Sequence, residues 1–257
     1  AAGIKVIMVT GDHPHTARAI AAEIGLAQNP LIIVGDELRR MSQIQLQLAL
    51  DAEEIIFARV GADQKMRIVQ ALKKKGEIVA VTGDGVNDAP ALKAADVGIS
   101  MGISGTDVAK ESADIILLDD NFASIVAAIE EGRAVFENIR KFMTYILTSN
   151  VPELIPYLAF VLFKIPLPLT IVQILAVDLG TDMLPALALG TEAPRDDIMQ
   201  RPPRARSERL LHWPLLLRAY LFLGLLEALA AMAAFFYVLH DGGWHYGQTL
   251  ASDDTLY

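Results

Sequence analysis

Two turns with the same chemistry punctuate the first part of the chain: Val9-Thr10-Gly11-Asp12 and Val81-Thr82-Gly83-Asp84. Each ends an apolar run with a hydroxyl, a flexible glycine and a carboxylate, and the second continues as Gly85-Val86-Asn87-Asp88-Ala89-Pro90. Glycine lets a backbone approach a phosphate closely. Asp84 and Asp88 offer the hard oxygen ligands suited to Mg²⁺, which keeps waters and takes one or two carboxylates plus phosphate oxygens. Lys65, shortly after Ala58-Arg59, adds a point charge to set against that phosphate. One Gly-Asp turn alone is most often a loop cap; two on one predicted sheet edge, with a lysine, point to phosphoryl chemistry.

A second constellation lies in apolar sequence. Ser149, Asn150 and Glu153 fall three and four residues apart, so they can share a helix face, and Asp178 and Asp182 share another by the same spacing. Carboxylates at membrane depth need a proton, a counter-charge or a bound cation. Pro152 and Pro156 remove helix hydrogen bonds and free the carbonyls of Thr148 and Pro152; Gly180 and Pro185 loosen the next segment and free the carbonyl of Thr181. Carboxylates, an amide, hydroxyls and unpaired carbonyls together make a dehydrated cation site. Tyr145, Thr148 or Thr170 taken singly are expected only to hydrogen-bond helix to helix, and Glu227, nine residues from Arg218, to pack against another helix.

The elements that must position these groups follow from periodicity. Short apolar runs at 4–9, 32–34, 55–58, 78–81, 97–100 and 115–117 alternate with amphipathic helices at about 16–24, 43–50 and 64–74 and near Ala91 and Val108. That alternation predicts a parallel sheet with helices on both faces and chemistry beyond the carboxyl ends of its strands. Three apolar stretches follow, 142–163, 167–189 and 215–239, each long enough to cross a bilayer. The connection after the second holds Arg195, Arg201, Arg204, Arg206 and Arg209, while the tail after Leu239 has no Lys or Arg. The positive-inside rule places 1–141 and 190–214 in the cytoplasm and 240–257, with Asp241, Asp253 and Asp254, outside. The arginine cluster is expected to set topology and meet headgroups.

Composition narrows the classes. Of 257 residues, 53% are hydrophobic and the mean hydropathy is +0.38, too apolar for one soluble domain and incompatible with disorder. Residues 1–141 carry 15 Lys and Arg against 20 Asp and Glu, and 142–257 carry 7 against 11, so neither half is basic and no nucleic-acid partner is expected. The absence of Cys removes thiol nucleophiles, disulfides and thiolate sites for soft metals such as copper.

The run Thr82 to Lys93, followed by Asp96-Val97-Gly98-Ile99-Ser100-Met101-Gly102, Gly105-Thr106-Asp107-Val108-Ala109-Lys110 and Asp119-Asp120-Asn121-Phe122, resembles the hinge segment of P-type cation-transporting ATPases. The resemblance continues into the apolar helices. It implies an incomplete α/β phosphorylation domain at 1–123, with a Rossmann-like parallel sheet similar to that of the haloacid dehalogenase superfamily. A stalk helix at 124–141 and an α-helical transmembrane domain would follow. By matching position it puts Thr10, Gly11 and Asp12 beside a transferred phosphoryl group, Lys65 as its neutralising charge and Asp84 on Mg²⁺. Asn87 and Asp88 would complete the metal and phosphate surroundings. Ser149, Asn150, Glu153, Asp178, Thr181 and Asp182 would take the transported cation. Such chemistry needs positioning and charge neutralisation rather than covalent help.

The family's Asp-Lys-Thr-Gly-Thr segment, whose Asp is phosphorylated, does not occur in these residues. The chain is therefore expected to be a carboxy-terminal portion of an ATP-using pump, inactive alone. The nucleotide and actuator domains and earlier helices would lie upstream, and further ligands beyond Tyr257. The strand bearing that Asp is central in the family's sheet, so its absence would leave an apolar edge. Gly61-Ala62 stands where the family usually has Pro, which puts that loop's rigidity in question. Asp178 favours sodium/potassium-type pumps, since the usual calcium pump has Asn there; Ser149 differs from the Lys of the gastric proton/potassium pump. A calcium pump is the alternative, and a membrane-tethered phosphatase or a non-catalytic binding fragment are readings of other classes. A multi-pass protein of the plasma membrane is expected.

Overall fold

A four-residue run in which every side chain is buried, Ile55–Ala58, can only sit at the centre of a sheet covered on both faces. In the computed structural model, which describes residues 2–205 and 207–248, this run is strand β3. It is flanked in parallel by β1 (Met8–Val9) and β2 (Leu31–Val34), with Met8 opposite Ile56 and Leu31 opposite Ile55. Phe57 and Ile55 point to one face, against Ile33, Leu38, Leu46 and Ile68; Ile56 and Ala58 point to the other, against Ala17 and Ala21. That alternation is the two-residue period of a strand read on both faces. Around the sheet run α1 (Pro14–Glu23), α2 (Gly35–Arg40), α3 (Gln43–Ala49) and α4 (Ala62–Lys74).

A second parallel sheet holds β4 (Ala80–Gly83), β5 (Val97–Met101) and β6 (Ile115–Leu117) in that spatial order, with α5 (Ala89–Ala94) and α6 (Asp107–Ser112) in its connections. The single sheet expected from the sequence is thus two three-stranded sheets among the described residues, with β1 and β4 each at an edge. The expected strand at 4–9 pairs only at Met8–Val9, while Ile4 and Val6 are exposed. Likewise β4 starts two residues later than the apolar run. α2 was not foreseen, because six residues are too few to show a helical period.

Asp120 ties the end of the second sheet together. Its backbone is left-handed (φ +51°), its Oδ1 accepts from the Ile103 amide at 2.9 Å and its Oδ2 from the Ser104 amide at 2.7 Å. Two residues on begins α7 (Phe122–Phe163). Its first turn is fixed by Ala123 N–H donating to Asn121 Oδ1 (2.9 Å) and Ser124 Oγ donating to Asp119 Oδ2 (2.7 Å).

The chain divides into two compact units, residues 3–128 and 129 onward. In the second, three helical stretches are long and apolar enough to cross a membrane: α7, which runs unbroken through Pro152 and Pro156; 171–190; and 213–241. The second stretch is α8 (Ile171–Val177), a π-helical turn at Asp178–Asp182 and α9 (Met183–Gly190). It starts four residues later than its apolar run because Thr170 and Gln173 close a capping box. The third is α10 (Trp213–Leu217), a π-helical segment at Arg218–Gly224 and α11 (Leu225–Asp241). Gly224 lies so close to α7 that a Cβ there would sit 2.5 Å from Val151 Cγ2.

The arginine-rich connection does more than the topology expected of it. Arg201 pairs with Glu137 of α7 (2.6 Å) and with Asp197 (2.7 Å), Arg133 donates to the carbonyls of Ile198 (2.9 Å) and Arg201 (3.0 Å), and Arg204 stacks on the Phe136 ring at 3.6 Å. The Arg201 guanidinium holds the Asp197 carboxyl below its ordinary range. Arg206, Asp253 and Asp254 lie outside the described residues.

The Ile103 amide first, with the Ser104 amide, holds the Asp120 carboxyl at about 2. A carboxylate depressed on folding stabilises the fold fully above its unfolded value, near 4, and loses that contribution as pH falls through the folded one. Protection of the Ile103 and Ser104 amides from hydrogen exchange, corrected for intrinsic rates, should therefore hold down to pH about 4 and collapse as pH approaches about 2. Collapse centred above pH 4 contradicts the clamp.

Candidate functional site

The first Thr-Gly-Asp turn follows β1 directly, whereas Thr82 and Gly83 close β4 and Asp84 is the first residue past it. After β1, Thr10 Oγ1 donates to Asp12 Oδ2 and accepts from the Asp12 amide, both at 3.1 Å, while Gly11 stands open with no atom within 4 Å of a built Cβ. The turn leans on the loop after β3: Val60 N–H donates to Thr10 O (3.1 Å) and Arg59 N–H to Asp12 O (3.0 Å). From that loop starts α4, whose Lys65 ammonium meets Asp88 Oδ1 at 2.6 Å, with both side chains mostly buried. Lys65 is thus the strut between the β3–α4 loop, against which Thr10–Asp12 rests, and the turn after β4.

Within that second turn, Asp88 is already engaged: its Oδ2 accepts from the Gly85 amide (3.1 Å), and its Cβ fills the space a side chain at Gly83 would need. Asp84 differs. Its backbone carbonyl accepts from the Thr106 amide (2.8 Å), whereas its exposed carboxylate accepts no hydrogen bond among the described residues. A free carboxylate on a fixed backbone beside a glycine suits a hard divalent cation, so the donor set fits Mg²⁺. Asn87 is exposed in the 3₁₀ turn Val86–Asp88.

The loop whose rigidity the sequence left in question is held by a side chain instead of a proline. Gln64, buried, accepts from the Gly61 amide at 3.0 Å and donates to Gly35 O at 2.6 Å. Arg59 takes a left-handed φ of +52°, and its carbonyl so closely faces Gly35 that a Cβ there would lie 2.1 Å away. Neither Gln64 nor Gly35 was singled out from sequence. The visible signal was the Gly61-x-x-Gln64 spacing of a helix start.

In the apolar helices Glu153, Asp178 and Asp182 each offer a carboxylate oxygen within 4.8 Å of the others. Ser149 Oγ donates to Asp182 Oδ2 at 2.9 Å, so four residues named from sequence converge. The backbone explains how: Pro152 interrupts the α7 hydrogen-bond ladder one residue before Glu153, and the π-helical turn carries Asp178 and Asp182. Asn150 is not brought in; it is exposed and donates to Ile146 O of its own helix (2.9 Å). Thr148 likewise donates to Thr144 O (2.8 Å) and Thr170 caps α8. The Thr181 side chain lies outside what the structure describes.

The model of the haloacid dehalogenase-like hydrolases matches residues 1–96, and that of the cation transporting ATPase C-terminus matches 166–252. The sodium/potassium-transporting ATPase subunit alpha-2 of Rattus norvegicus is 48% identical over 95% of this chain and 26% of its own length. Subunit alpha-3 of Gallus gallus is 47% identical over 95% and 27%. The chain belongs to the P-type cation-transporting ATPases. It spans about a quarter of the length of these relatives. A solved zinc-transporting PIB-type ATPase in its E2.Pi state is 30% identical, with a TM-score of 0.50 over 72% of this chain and 25% of that one. In this P-type ATPase chain the haloacid dehalogenase-like sheet elements and the membrane helices are therefore family features, as the sequence led one to expect.

Removing the Gln64 side chain leaves the Gly61 amide and the Gly35 carbonyl without their partner, at a cost of about 1–3 kcal/mol. Gln64→Ala should accelerate hydrogen exchange at the Gly61 amide roughly 5- to 150-fold, by the same free energy. An unchanged rate contradicts the role assigned to Gln64.

Proposed function

We propose that the protein containing this chain is an ATP-driven pump of the plasma membrane that moves Na⁺ and K⁺ through an aspartyl-phosphate cycle. The observation that carries the reading is the convergence of Glu153, Asp178 and Asp182 within 4.8 Å in apolar helices, next to a proline and inside a π-helical turn. Carboxylates so placed are costly unless a proton, a counter-charge or a cation joins them, and a transported cation is the partner proposed here. The names of the alpha-subunit relatives support Na⁺ and K⁺ over Ca²⁺.

Residues 1–123 act as part of the phosphorylation domain, 124–141 as a stalk, 142–163, 167–189 and 215–239 as membrane spans, with 190–214 cytoplasmic and 240–257 outside. The nucleophilic Asp and the ATP-binding domain belong to other parts of the pump. Thr10, Gly11 and Asp12 line the phosphoryl position: the open Gly11 lets the group approach and the Thr10–Asp12 bonds fix the turn. Lys65 holds its charge ready on Asp88 and shifts it toward the phosphoryl oxygens. Bound Mg²⁺ supplies further charge neutralisation, and Asp84 is the carboxylate that holds it. Asn87 and Asp88 order the water that cleaves the acyl phosphate. α7 runs without a break from the end of this domain to Glu153, so phosphorylation state can bias the cation cluster.

Full-length protein in proteoliposomes, with Na⁺, K⁺ and Ca²⁺ varied separately, tests the reading. ATP hydrolysis should require Na⁺ with K⁺, and Asp178→Asn should raise the half-saturating cation concentration tenfold or more. Stimulation by micromolar Ca²⁺ alone supports a calcium pump instead, and phosphate release indifferent to every cation contradicts transport.

A further inference from the structure

The bonds of Asp120 join two parts of the fold that the proposed cycle must connect. Its carboxylate accepts from the Ile103 and Ser104 amides, at 2.9 and 2.7 Å, in the loop between β5 and α6. At its other end this loop delivers the Thr106 amide to Asp84 O at 2.8 Å. The loop has little freedom between these points. A Cβ at Gly105 would lie 2.0 Å from Met101 O, one at Gly102 would lie 2.6 Å from Leu117 O, and Thr106 is committed as the cap of α6. On the other side of Asp120, Asn121 and Asp119 secure the first turn of α7, and Ile125 packs on Ile99, Met101 and Leu117.

We propose that Asp120 is a positioning residue that passes displacement of the Asp84 backbone, through the Gly102–Thr106 loop, into the first turn of α7. The proposal rests on the phosphate-site reading above, since Asp84 matters here as the carboxylate that meets the metal. Asp120 touches neither phosphate nor transported cation. Its effect is geometric: two amides on one carboxylate fix the loop in both position and tilt, and the left-handed backbone at Asp120 turns the chain toward the helix that begins two residues on.

Hydrogen exchange on the full-length protein, with and without Mg²⁺ plus beryllium fluoride as a phosphate analogue, tests this without turnover. In the wild type the additions should slow exchange at least threefold both in residues 102–106 and in the first two turns of α7, residues 122–129. In Asp120→Ala the slowing should persist in 102–106 and vanish in 122–129. Asp120→Asn, which keeps one acceptor, should be intermediate and serves as the readout if the alanine variant does not fold. In turnover assays Asp120→Ala should form phosphoenzyme within twofold of wild type yet lose cation stimulation at least fivefold. A slowing of 122–129 in the variants equal to wild type overturns the relay alone. No slowing in 102–106 of the wild type overturns the phosphate-site reading and the relay with it.

Discussion

Three carboxylate oxygens within 4.8 Å of one another, carried on helices otherwise apolar enough to span a bilayer, are the constraint to which the rest of the molecule answers. Like charges at that distance repel in water, and more strongly in a medium of low dielectric constant. The helices around them make sense as devices for bringing such groups together and for letting them rearrange. Pro152 and Pro156 weaken α7 without ending it, and the π-helical turn at Asp178–Asp182 adds local slack to the next helix. Ser149, bonded to Asp182, adds a hydroxyl to the same place.

In the proposed pump, a site of this kind is useful only if something distant sets its geometry. α7 is the physical candidate, since it is one 42-residue helix beginning two residues after Asp120 and passing through Glu153. The arginine-rich connection is knitted to the same helix by Arg133, Arg201 and Arg204. Exposed ion pairs contribute little stability, so this network is better understood as fixing the register of a loop on α7. In the other unit, the paired Lys65 and Asp88 tie α4 to the turn after β4, each compensating the other's charge; in the proposed function this pair holds the lysine ready for the phosphate.

Much of this was legible in the residues. The two Thr-Gly-Asp turns, the Lys65 position and the spacing of Glu153, Asp178 and Asp182 carried both proposed sites, because short motifs at strand ends and acids in apolar helices are local signals. The strand at β3 was read to the residue, since a run buried on both faces is continuous in sequence. What escaped depended on contacts remote in sequence. Nothing local marks Gln64 as the partner of Gly35, or Thr106 as the donor to Asp84. The extent of β1 was overstated because Ile4 and Val6 are apolar but have no strand beside them, and the sheet's division into two is a fact of pairing that periodicity does not encode. Asn150 shared a helical face with Glu153 on paper, yet its amide turned back to its own backbone.

The central claim is that the carboxylate cluster holds the transported cation. Equilibrium binding of radiolabelled Na⁺ to the full-length protein in the absence of ATP tests it most directly, with Asp182→Asn as the comparison and an unrelated surface variant as control. The account predicts saturable binding that weakens tenfold or more in Asp182→Asn while the control is unaffected. Binding of undiminished affinity in Asp182→Asn would contradict it.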